Sequence, residues 1–116
     1  MPFLIFYITH PDESTAHRIG QLMVNRRLAA CANISPVKSV FWWEGIVQTE
    51  GEWVSILKTR LELEQALEDA VMAEHPYQTP CILRFEARAN KSYEDWIIES
   101  TGTESADLSP RTNIQK

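Results

Sequence analysis

Apolar residues run unbroken through Phe3-Leu4-Ile5-Phe6-Tyr7-Ile8, an aromatic and β-branched segment that predicts a strand covered on both faces. Pro11 ends it, and Asp12 is placed to cap a helix from about Glu13 to Arg27, with Ala16, Ile19, Leu22 and Met23 on its apolar side. From Leu28 to Val47 the pattern is strand-like. Pro36 lacks a ladder donor there and calls for an edge or a bulge that bends one long strand, with Gly45 as a second irregularity. Glu50-Gly51 supplies turn chemistry before a partner strand at Trp53–Leu57, so an antiparallel hairpin is expected. Leu63, Ala66, Leu67, Ala70 and Val71 give the cleanest helical spacing in the chain, and this second helix must stop near His75-Pro76. Beyond Pro80, Leu83, Phe85 and Ala87 alternate with Arg84, Glu86 and Arg88, which predicts one dry and one wet face. Ser92 with Asp95 resembles a capping box for a third, short helix whose apolar edge is Tyr93, Trp96 and Ile97.

The element order is strand, helix, strand, strand, helix, strand, short helix. That is an α+β chain of the split βαβ, ferredoxin-like kind with a long bent hairpin. Residues 1–103 are expected to form the domain and 104–116, poor in apolar residues, a flexible polar tail. Such a fold alone settles no function.

Charge and cysteine content narrow the function classes. With 16 acidic and 11 basic residues the formal charge is −5, and the basic residues are scattered. No concentrated positive surface is available for nucleic acid or an anionic membrane. No apolar stretch is long enough to span a bilayer, and the apolar N-terminal run is too short for a secretory leader. Two cysteines 50 positions apart, Cys31 and Cys81, fit a reducing, cytoplasmic setting. At 116 residues the domain buries a modest share of its surface, so association with further copies would add useful burial.

Conventional catalysis has little support. The four glycines are too dispersed for a phosphate-cradling loop, and neither a Ser-centred elbow nor an HExxH helix occurs, so the chain is read as not an enzyme. A metal site would draw on His10, His17, His75, Cys31, Cys81 and carboxylates, none at a recognised ligand spacing. Cys31 lies among alanines on a predicted strand, where packing is the simpler role. His75 at a helix end is a structural cap as readily as a ligand. Glu44 and Lys58 read plainly as a turn residue and a strand-end charge.

Individual residues then carry a resemblance. Arg27-Leu28-Ala29-Ala30-Cys31-Ala32-Asn33, Trp43-Glu44-Gly45, Leu57-Lys58-Thr59-Arg60, His75-Pro76-Tyr77 and Tyr93 with Asp95-Trp96 resemble, in order and spacing, the CutA divalent-cation-tolerance family. The similarity extends from about Thr9 to about Thr101. It implies a ferredoxin-like protomer that forms a homotrimer by pairing strands between subunits, similar in plan to the PII signalling proteins. It also implies a link to tolerance of copper and other divalent cations, and no reaction. On that footing Cys31, His75 and Cys81 are the expected metal ligands, with copper or another divalent cation as the ion. Trp43, Glu44, Lys58, His75 and Tyr77 are expected to line a cleft between subunits. Copper-associated bacterial members carry further cysteines where this chain has Ile8 and Ala70, and Cys81 stands where the family more usually shows Glu. A PII-like regulator that holds a small effector in the cleft, and a trimer that scaffolds another protein, are the alternatives.

Overall fold

Phe3–His10 forms β1, and its apolar run is accounted for by position: it lies between two strands of a four-stranded antiparallel sheet of order β2-β3-β1-β4. The other strands are β2 (Cys31–Trp43), β3 (Ile46–Arg60) and β4 (Ile82–Ala87). The helices are α1 (Glu13–Asn25), α2 (Glu64–Glu74, after a 3-10 turn at Leu61–Leu63) and α3 (Lys91–Ser100). The computed structural model describes residues 1–102; the polar segment expected at 104–116 lies outside the described residues. β3 inserts between β1 and β2, so the chain is the expected split βαβ arrangement.

The two long helices cover one face of the sheet. Phe6, Ile8 and Leu57 have no exposed surface, and Ile19 and Met23 of α1 and Leu67 and Val71 of α2 seal them. α1 starts as expected, with the Asp12 carboxylate accepting the Thr15 N–H at 2.8 Å. It stops two residues earlier than the sequence suggested, because Arg27 takes a left-handed conformation (φ 61°). The Leu28 N–H then reaches the Met23 carbonyl and the Arg27 N–H reaches Val24, a Schellman closure with arginine where glycine is usual. Gly20 lets this helix approach β2 closely: a Cβ there would stand 3.1 Å from that of Ala32.

Three expectations are corrected. The hairpin turns at Glu44-Gly45, not at Glu50-Gly51. Both turn residues have positive φ, 51° and 79°, the geometry a two-residue turn needs to match strand twist. Pairing continues without a bulge from Cys31↔Lys58 to Trp43↔Ile46, so Glu50 and Gly51 lie within β3 and Pro36 sits on the edge strand. In β4 the dry and wet faces are reversed. Arg84 faces the helices, over the Phe6 ring at 5.1 Å and in ion pairs with Glu64 and Glu68 of α2, while Leu83 and Phe85 are 55% and 53% exposed. The N-cap of α3 is Asn90, and Ser92 is already helical; the Glu94 carboxylate accepts the Ala89 N–H at 2.8 Å, one residue before the cap, in place of a capping box.

The second face of the sheet is covered at one end only. There α3 packs Tyr93, Trp96 and Ile97 on Phe3, Ile5 and Ala87, and Arg60 holds the helix end through the Ile98 and Thr101 carbonyls. The far end of the β2–β3 hairpin projects beyond both layers and leaves Val40, Trp42, Ile46 and Val47 exposed.

Candidate functional site

His75 closes α2, and its ring is held at both nitrogens. Nε2 lies 2.7 Å from the Thr9 carbonyl, an acceptor only, so Nε2 carries the proton. Nδ1 therefore has a free lone pair and accepts the Tyr77 N–H at 3.1 Å. As placed, the ring fixes the course of the chain after α2 and presents neither nitrogen to an ion. It stacks on His10 with centroids 5.1 Å apart. His10 is fully buried and bonded through Nε2 to Ser55 Oγ at 2.7 Å, and its Nδ1 has no partner among the described residues. Burial first, and then the neighbouring His75, hold the His10 pKa down at about 4.

The turn built by His75 directs Tyr77 across the sheet. Its hydroxyl donates to Glu52 Oε2 at 2.6 Å, and burial together with that carboxylate pushes the phenol pKa up. Tyr77 thereby walls a cavity of about 710 Å³ between the segment after α2 and the uncovered face of the hairpin. Phe41, Trp43, Glu50, Glu52 and Cys81 line it further. Alternation explains the strand residues: Phe41 pairs with Gln48, Ser39 with Glu50 and Val37 with Glu52, so these side chains share one face.

Cys31 and Lys58 occupy the opposite end of the sheet. They are cross-strand partners, and Tyr93 of α3 lies over them: its hydroxyl accepts from Lys58 Nζ at 3.2 Å and stands 3.7 Å from Cys31 Sγ. Burial, then Cys31, push the Tyr93 pKa up to about 12. Cys31 opens β2 and Cys81 precedes β4 at the opposite edge of the sheet, three interstrand steps or roughly 14 Å across it and a further four residues or roughly 13 Å along it. Both thiols are free. Of the residues expected in a cleft, Trp43 and Tyr77 line the same cavity, Glu44 lies in the hairpin turn, and Lys58 is six positions from Glu52 along β3, roughly 20 Å away. Within one protomer Cys31, His75 and Cys81 are not gathered, and no group of three or more His, Cys, Asp or Glu suited to a metal occurs among the described residues.

Glu50 and Glu52 were missed as cavity residues. Reading Glu50-Gly51 as a turn hid the alternation Gln48, Glu50, Glu52, Val54, which marks one face of a continuous strand. No helix among the described residues is long and apolar enough to cross a membrane.

Comparison with known proteins gives a consistent result. The chain is 44% identical over 95 residues to the divalent-cation tolerance protein CutA of Archaeoglobus fulgidus, an alignment spanning 81% of this chain and 93% of that one. Among solved structures, the periplasmic divalent cation tolerance protein CutA from the same organism superposes with a TM-score of 0.82 at 42% identity, covering 84% of this chain and 97% of that one. CutA1 from Oryza sativa gives 0.85 at 37% identity, covering 90% and 97%. The family model for the CutA1 divalent ion tolerance protein matches residues 4–100, nearly the whole described chain, and this protein belongs to that family.

Proposed function

We propose that this chain acts as a homotrimer in tolerance of divalent cations, as a binding protein and not as an enzyme. The observation that carries the assembly is the bare half of the sheet. Leu83 and Phe85 on β4 and Trp42 on the hairpin are each more than half exposed. Large apolar side chains left exposed on a monomer, here Leu83 and Phe85 on one edge strand and Trp42 on the projecting hairpin at the other edge, mark surfaces that meet another protein. Subunits packed there would bring the hairpin of one protomer toward the edge of the next. That is the means by which Lys58, roughly 20 Å from Glu52 along β3 within one chain, would come to share a cleft with Trp43, Glu44, His75 and Tyr77.

For the ion, the chain offers Cys31, Cys81 and His75. Thiolates suit copper(I), and imidazole with carboxylates suits zinc or copper(II). His75 would have to release the Tyr77 N–H to ligate through Nδ1. The names of the relatives support cation tolerance, and the two free thiols support a reducing cytoplasmic location. The 710 Å³ cavity favours a second reading, a PII-like regulator with a small effector, because its volume falls in the range of small-molecule sites.

Native mass spectrometry and copper calorimetry test the proposal. Wild type is expected at three times the protomer mass and Phe85→Asp at one; a monomeric wild type overturns the trimer. Copper binding should weaken about tenfold in Cys31→Ser or Cys81→Ser, and titrations unchanged in both remove the thiols from the site.

A further inference from the structure

Glu52 is a carboxylate without a counter-charge. It is 8% exposed, its Oε2 accepts the Tyr77 hydroxyl, and none of the ion pairs among the described residues includes it. The single basic residue of the distal hairpin, Lys38, pairs with Gly51 and so points to the opposite face from Glu50 and Glu52. Buried charges are ordinarily paired, and this one borders an open cavity. The cavity therefore holds two negative groups and lacks a positive one.

We propose that the cavity is a binding site for an organic cation of the alkyl diamine or polyamine class. Glu50 and Glu52 stand two residues apart on one strand face, roughly 7 Å along β3, a spacing at which two ammonium groups joined by a short methylene chain meet one carboxylate each. Phe41, Trp43 and Tyr77 supply the rest of the recognition. Aromatic faces attract a cation through the ring quadrupole, and they also pack against the methylenes between the charges. Ser39, Gln48 and Thr79 add neutral acceptors at the walls. A hard divalent ion such as magnesium or calcium fits less well, since it needs about six oxygen ligands converging within roughly 2.0–2.6 Å, and no group of three or more His, Cys, Asp or Glu suited to a metal occurs among the described residues. The site goes beyond the cation-tolerance reading and rests on residues of one protomer.

Calorimetry of the assembled protein with spermidine, at low salt and with a chelator present, tests it. Saturable binding is expected, weakened about tenfold by Glu52→Gln and by Glu50→Gln and several-fold by Trp43→Leu. Far-ultraviolet circular dichroism checks each variant's fold, and if Glu52→Gln does not fold, Glu50→Gln carries the comparison. Three results overturn the proposal: no saturable heat at millimolar spermidine, as when a neighbouring subunit fills the cavity; an affinity unchanged in the carboxylate variants; or displacement by equimolar magnesium, the mark of an unspecific acidic surface. A copper titration on the same preparation keeps the readings apart. Copper binding without spermidine binding overturns the amine site alone, and spermidine binding without copper binding leaves the amine site standing while the metal site falls.

Discussion

The two faces of the sheet are about equally apolar and have opposite fates. On one, Phe6, Ile8 and Leu57 vanish beneath α1 and α2; on the other, Leu83 and Phe85 of the edge strand β4 remain more than half exposed. Side chains of the same kind, even neighbours on β1 and β4, therefore report different things. Where the chain supplies its own cover, hydrophobicity stabilises the protomer. Where it does not, the same hydrophobicity is available for association, and its effect depends on protein concentration.

That contrast is open to direct attack. Phe6→Ala, in the sealed face, is expected to cost about 3–5 kcal/mol in denaturant titrations at every protein concentration. Phe85→Ala should act instead on assembly, moving the dissociation midpoint to higher protein concentration; equal, concentration-independent losses from the two would erase the distinction. A smaller effect follows from His10 beneath the same helices. Its folded pKa of about 4 lies below the ordinary 6.5, so its contribution is complete above pH 6.5 and is lost as pH falls toward 4. The loss amounts to about 3 kcal/mol over that window. Glu94, held down at about 2 chiefly by Arg88, loses its contribution in a lower window, from about 4.5 to 2. Stability measured from pH 7.5 to 4 should therefore slope downward in wild type and flatten in His10→Gln; a parallel slope would exonerate the histidine. The smallest change belongs to the exposed hairpin. Gly45→Ala meets no atom within 4 Å, yet φ of 79° makes it cost about 1–2 kcal/mol through the backbone alone, read as a lowered thermal midpoint.

The sheet's two faces also show where sequence reading succeeds. α2 was legible because Leu63, Leu67 and Val71 recur at helical spacing and Pro76 ends the pattern, both local facts. β4 was misread because alternation reveals that two faces differ without saying which one the helices choose; Arg84 goes inward because Glu64 and Glu68 of α2 await it. The hairpin turn had two X-Gly candidates, and only the paired positive φ values separate them. The separation of Cys31 from His75 and the gathering of Phe41, Trp43, Glu52 and Tyr77 depend on contacts between distant segments. Trp43 and Tyr77 were recognisable from motifs, whereas Glu52 becomes visible once β3 is known to run straight through Gly51.

The unbroken register of β2 and β3 sets a rule for how this arm can change in length. Every pair from Cys31↔Lys58 to Trp43↔Ile46 sums to the same number, so no slack residue exists on either strand. A single insertion must therefore bulge out or carry every side chain beyond it to the opposite face. Adding one residue on each side of the Glu44-Gly45 turn preserves every existing pair and lengthens the arm by about 3.3 Å. Natural variation in the reach of this arm should accordingly arrive in matched pairs, with odd changes in length confined to sequences that also acquire a bulge.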